Sequence, residues 1–342
     1  LKIIFCLSNL FIPATLSLIK KSKPGEVIVY THQENIKQFF ENVELSEVIV
    51  YLRSDFVIRK SIGAIVKYFF WRRELEKTIK ALNPSEIYFF HCSFGGLENW
   101  LIRRISKNRN IPIFHSPIFN ELPFKKRYSI AAFRLILSYL VLYQAKIMPL
   151  WTGERFIPRI SSSFFKDIRT QEIEITIDQR YVKSIVEKEL TATDTEIVLL
   201  TGGTADLGLV AEAQYIEKID SLIECIGSGN IVIKQHPRYK ETFGLERILN
   251  SVPTYLPANV LFSKFKIFIG YSTATLAEAA NNGLIAISLL DFMDVTNQDR
   301  RQSFKNYLDQ NLKSGRKIYY VSDLNEVRQL MDFIAPNSRG EL

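Results

Sequence analysis

Short apolar runs of roughly five residues, each trailed by a stretch with helical spacing, recur along this chain. No other feature restricts its fold as strongly. Lys2–Leu7 is the first run, and a helical pattern follows at Phe11–Lys21. Pro24-Gly25 marks a turn. Strands are then predicted at Glu26–Tyr30, Glu47–Leu52, Glu86–His91 and Ile111–His115. Helices are predicted between them at Gln33–Asn42, Ile58–Leu82 and Leu97–Lys107, and after them at Phe133–Ala145. Ile147–Leu150 reads as one more short strand. Strands alternating with helices imply a parallel sheet covered on both faces.

A second alternating set starts at the helical stretch Tyr181–Glu189. Its predicted strands are Glu196–Leu200, Asn230–Lys234, Phe265–Gly270, Leu284–Leu290 and Lys317–Val321. Helices are expected at Val210–Cys225, Thr275–Asn281 and Leu324–Phe333. Between the sets, residues 152–180 carry Gly153, Pro158, a Ser161–Ser163 run and mixed charge, the marks of a linker. The expected fold class is therefore α/β, with two Rossmann-like domains in tandem and an inter-domain cleft. The expected boundaries are 1–151, a 152–180 linker, and 181–342.

Composition narrows the function classes. Of 342 residues, 47% are hydrophobic and 23% charged, which excludes a disordered chain, a collagen or a coiled coil. The 3 cysteines, Cys6, Cys92 and Cys225, are odd in number and far apart, so a disulfide framework is not expected. Without a CxxC or His/Cys cluster, neither is a metal site. A net charge of +8 favours anionic partners. The basic residues form no dense run, which argues against nucleic acid. The N-terminal run is interrupted by Ser8, Asn9 and Pro13, and Leu135–Leu150 by Gln144, Lys146 and Pro149. Neither reaches the ~20 residues a spanning helix needs. The expectation is a soluble chain of the reducing cytoplasm. Phe69–Arg73 and Phe124–Arg127 set basic beside aromatic residues, which suits peripheral contact with an anionic membrane. The plainer reading of both is a helix with one apolar and one solvated face.

Ligands of open α/β sheets sit at the carboxyl ends of strands. Three such ends in the second half carry chemistry. Thr201-Gly202-Gly203-Thr204 lets backbone N–H groups approach an anion, although Gly-Gly after a strand also serves as a turn. Lys234-Gln235-His236-Pro237-Arg238 sets an imidazole between two cations, with proline fixing the exit. Taken alone, the histidine would read as a packed one. Gly270-Tyr271-Ser272-Thr273 ends a strand and supplies caps for the next helix, whose N-terminus favours anions.

This arrangement resembles the second domain of bacterial sialyltransferases, namely the lipooligosaccharide sialyltransferases and capsular polysialyltransferases. The shared elements are Lys-x-His-Pro-Arg after a strand, a proline-containing stretch Val252–Pro257, and a strand leading to Ser272-Thr273. The resemblance covers residues 195–290 and is architectural over 1–150. It implies the GT-B fold, CMP-sialic acid or a related CMP-sugar as donor substrate, and neither cofactor nor metal. It also implies a bacterial surface glycan or glycolipid as acceptor, at the inner face of the cytoplasmic membrane. By resemblance, His236 assists departure of the CMP phosphate, while Ser272 and Thr273 bind it. The first-domain acidic motif that supplies the family's general base is missing. Glu121 and His115 rank first as substitutes, followed by Glu98. Two other readings remain open. One is a teichoic-acid-type polyol-phosphate transferase using a CDP-polyol. The other is a non-catalytic polyanion-binding protein.

Overall fold

The computed structural model describes residues 1–31, 33–43, 45, 48–52, 62–90, 105, 111–115, 147–152, 155–160, 171–190, 195–202, 210–236, 245, 249–271, 273–295 and 298–337. It divides into two compact units, Leu1–Tyr181 and Val182–Leu342.

Unit 1 is built on β1 (Lys2–Cys6), β2 (Val27–Thr31), β3 (Val48–Leu52), β4 (Glu86–Phe90), β5 (Ile113–His115) and β8 (Gln171–Glu172). The sheet order is β3-β2-β1-β4-β5-β8, every pair parallel. Its helices include α1 (Ile12–Lys20), α2 (Glu34–Asn42) and α3 (Ile62–Leu82). All five residues of β2 are buried, and four of five in β1 and β4. Burial on both faces is what writes a continuous apolar run instead of an alternating one. Phe5 sits centrally, its ring 4.8 Å from Tyr30 and 5.9 Å from Phe89.

β6 (Ile147–Thr152) and β7 (Arg155–Ile160) form a separate antiparallel ribbon. Pro149 faces Pro158 across it. Proline lacks the N–H that a central strand must donate, so these strands suit a two-stranded ribbon. Within the expected 152–180 linker, the described residues carry β7 and β8, and β8 extends the first sheet. A two-residue exposed strand leaves no hydrophobic signal.

Unit 2 repeats the pattern with β9 (Ile197–Leu200), β10 (Ile231–Lys234), β11 (Asn250–Ser251), β12 (Ile267–Gly270), β13 (Ile285–Ser288) and β14 (Tyr319–Tyr320). The order is β11-β10-β9-β12-β13-β14, again all parallel. Its helices are α4 (Gln179–Glu189, starting just before the boundary), α5 (Glu212–Ile226), α6 (Ala274–Asn281), α7 (Gln298–Gln310) and α8 (Leu324–Asn337). Read by position, both sheets have the order 3-2-1-4-5-6 of a Rossmann fold. The chain is an α/β protein with two Rossmann-like domains in tandem, the GT-B pattern along the sequence. Helix α7 is absent from the sequence reading for a physical reason. Leu308 is its only buried residue, so it has no apolar stripe. Among the described residues, no helix is long and apolar enough to cross a membrane.

Candidate functional site

The site is set by strand register. Leu200, last in β9, pairs with Lys234, last in β10, on one side and with Gly270, last in β12, on the other. Gly270 in turn pairs with Ser288, last in β13. Four strands therefore end on one level. In sequence, Gly202 and His236 each follow two residues after the last residue of their strands. The order reverses between β9 and β12, so this edge is the topological switch point of unit 2.

Two glycines there do different work. A Cβ on Gly270 would sit 3.2 Å from Thr273 Cγ2 and 3.3 Å from Leu200 Cβ, so a small residue is needed where β12 passes β9. A Cβ on Gly202 would meet nothing within 4 Å, so there is space beside its Cα.

His236 is half-buried, and its backbone N–H donates to Thr201 Oγ1 at 3.4 Å. The Thr201 N–H donates to the Lys234 carbonyl at 3.1 Å, continuing the ladder past the strand end. Lys234 itself is only 4% exposed. Its Nζ donates to the carbonyls of Gln235 at 2.7 Å and Thr254 at 3.4 Å. Burial pulls its ammonium down to about 8. Thr254 belongs to the Val252–Pro257 stretch, which this amine ties to the end of β10.

On the other side of β9, Thr273 caps α6, accepting from the Thr275 N–H at 3.3 Å. The start of α6 carries the positive end of the helix dipole. Ser288 Oγ donates to the Tyr271 carbonyl at 2.9 Å and fixes the approach to that cap. The Tyr271 ring is buried. Burial drives its hydroxyl well above the usual phenol range, with Arg300 and Arg301 pulling the other way.

Glu278 is a half-buried acid next to this edge in the sequence that the motif reading did not single out. It lies one helical turn beyond Ala274, on the same face of α6. Among the described residues its carboxylate has no partner, and burial raises it to about 7. The signal was present in the sequence. One acid within Ala-Thr-Leu-Ala-Glu-Ala-Ala must share a largely apolar helix.

In unit 1, His115 ends β5 and is 5% exposed, with Nε2 3.8 Å from Glu172 Oε2. Burial lowers its pKa, with Glu172 and a hydrogen bond to the Gln171 backbone opposing. The remaining expected site residues lie outside the described residues: Glu98, Glu121, Gly203, Thr204, Pro237, Arg238 and Ser272. Among the described residues, no group of three His, Cys, Asp or Glu side chains could hold a metal ion.

No family model and no curated protein matches the chain. Among solved structures, UDP-GlcNAc 2-epimerase from Neisseria meningitidis bound to UDP-GlcNAc aligns at 15% identity and a TM-score of 0.49, over 99% of this chain and 92% of that one. MurG from Acinetobacter baumannii aligns at 11% and 0.41, over 97% and 90%. The wall teichoic acid polymerase TagF aligns at 12% and 0.44, over 96% and 78%. Likenesses this distant assign no activity. The fold stands on the strand order of each unit.

Proposed function

We propose that the protein is a GT-B glycosyltransferase that uses a nucleotide-activated sugar, and that its donor is a CMP-activated nonulosonic acid of the sialic acid kind. The observation that carries this reading is the common level of β9, β10 and β12, which aligns Gly202, His236 and the Thr273 cap at the switch point. A departing nucleotide phosphate needs donors and positive potential. Gly202 leaves space beside its Cα, His236 brings an imidazole, and α6 a helix N-terminus. Gly203, Thr204, Pro237, Arg238 and Ser272 complete the donor site in this reading.

The reaction is a single displacement with inversion. A base takes the proton of the acceptor hydroxyl, and that oxygen bonds the anomeric carbon. The bond to the phosphate oxygen breaks, and its electron pair leaves with CMP. Fixed donors and the helix dipole stabilise the charge that develops on the phosphate, so the step requires no metal. Glu121 or His115 serves as the base, with Glu98 as third candidate. Burial favours the neutral form of His115, the form that accepts a proton. Unit 1 takes the acceptor, a glycan or glycolipid of the bacterial surface. Peripheral membrane contact is supported by Phe70, 68% exposed on α3, with exposed Arg73 one turn on.

Thermal shift against CMP, CDP, UDP and GDP tests the donor. A ligand at 100 times its dissociation constant adds about 2.7 kcal/mol. CMP should raise the melting temperature most. A shift with UDP alone overturns the donor assignment, and a shift confined to CDP-polyols supports polyol-phosphate transfer instead. Salt-sensitive polyanion binding without any nucleotide shift would make the protein non-catalytic.

A further inference from the structure

Lys234 poses a question that phosphate binding does not answer. It closes a strand whose four residues are all buried, and it is 4% exposed. Among the described residues no carboxylate pairs with it, and its amine is turned to two carbonyl oxygens. A buried cation with only neutral partners lowers stability relative to an apolar side chain of similar volume. Leucine or methionine would fit the strand better. The position of the carbonyls says what the amine achieves.

The shorter bond, 2.7 Å, goes to the Gln235 carbonyl. That carbonyl belongs to the same peptide unit as the His236 N–H, which donates to Thr201 Oγ1 at 3.4 Å. Thr201 is itself held by its N–H on the Lys234 carbonyl at 3.1 Å. The Gln235–His236 peptide is therefore gripped at both ends, by an amine on one side and a hydroxyl on the other. The second bond of the amine, to Thr254, ties this frame to the 252–257 stretch.

We infer that Lys234 is a positioning residue, clamping with Thr201 the peptide plane that leads into His236 and so aiming the imidazole, and that it is not a ligand of the donor phosphate. The role of His236 in transfer rests on the function proposed above. The clamp rests on the hydrogen bonds alone.

The test uses the full chain and the variants Lys234→Met and Thr201→Val. Met fills the same space without the donor, and Val removes the hydroxyl while keeping the branched shape. Three quantities are measured: melting temperature, CMP affinity by calorimetry, and turnover of CMP-sialic acid, including its slow hydrolysis by water. Both variants should lose turnover about tenfold or more while CMP affinity changes less than about threefold, because aim matters most in the transition state. Lys234→Met should melt at or above the parent temperature, since a buried charge is gone. A purely structural lysine predicts the reverse, a lower melting temperature with normal turnover per folded molecule. A phosphate ligand predicts a CMP affinity loss of tenfold or more. Either result overturns the inference.

A fourth readout does not depend on the enzyme reading. The chain has 4 histidines, and the imidazole proton resonances can be assigned with His236→Ala. The His236 resonance should move in both variants while the other histidines stay in place. An unmoved resonance refutes the clamp, whatever the donor proves to be. Absence of CMP binding to the parent, with the resonance shifted, refutes the donor assignment and leaves the clamp standing.

Discussion

Replacing Glu278 by glutamine should stabilise the protein at alkaline pH and hardly at all at acidic pH. The carboxyl sits on α6 with no partner among the described residues, and burial holds it near 7 against the usual 4.5. Each factor of ten in proton affinity is worth about 1.36 kcal/mol. The charged form is thus disfavoured in the folded state by roughly 3 kcal/mol at most. The side chain is half-buried rather than sealed, and residual water contact reduces this to about 2 kcal/mol.

The sign follows from proton binding. The folded state holds the proton more tightly, so the contribution is full below about 4.5 and is lost as pH rises through 7. At pH 8 the parent bears the whole cost and glutamine none. At pH 5 the difference falls under about 1 kcal/mol. A unit of this size shifts by about 2–4 °C per kcal/mol, so melting of Glu278→Gln should exceed the parent by about 4–8 °C at pH 8. Thermal melts at the two pH values decide the matter. An equal difference at both, or a parent more stable at pH 8, refutes the claim that burial holds the carboxyl neutral.

Other substitutions separate folding from chemistry. His236→Ala should cut turnover by about 10²–10³ with little change in CMP affinity or melting, as expected of a donor to a leaving phosphate; turnover within a few-fold of the parent refutes that role. Gly270→Ala places a Cβ 3.2 Å from Thr273 and 3.3 Å from Leu200, and should cost about 1–3 kcal/mol in a denaturation experiment. Gly202→Ala meets no neighbour and should melt like the parent, yet weaken CMP binding in calorimetry if the phosphate occupies the space beside that Cα. Thr273→Ala should lose about 1 kcal/mol through the missing helix cap, read from the denaturation midpoint.

Much of this architecture is legible in the sequence because parallel strands are buried on both faces. Ile-Val-Leu-Leu at 197–200 and Ile-Phe-Ile-Gly at 267–270 announce themselves and, by ending, mark where ligands gather. His236 and Thr273 follow two and three residues after the ends of such runs. What stayed hidden has weak or misleading hydrophobicity. α7 is polar around nearly its whole circumference, and β8 and β11 are exposed pairs of residues recruited by neighbouring strands. Lys234 was legible as a residue and not as a geometry. A lysine at a strand end is expected to reach outward into solvent or onto a phosphate. Nothing in one sequence says that its amine folds back onto the next carbonyl.

Lys234 and Glu278 carry one argument further than either does alone. One closes β10, and the other lies on α6, the helix that follows β12; β10 and β12 flank β9 in the sheet. Burial pulls the amine down to about 8 and pushes the carboxyl up to about 7, each away from its usual ionisation. Neither has an oppositely charged partner among the described residues, so neither repays its desolvation through an ion pair. A sequence under no constraint but stability would place apolar side chains at both positions. Groups whose proton affinity is shifted by burial point to candidate functional sites when geometry independently brings polar groups together there. At this edge it does: the shared strand level, the framed His236 peptide and the Thr273 cap all meet where the strand order reverses.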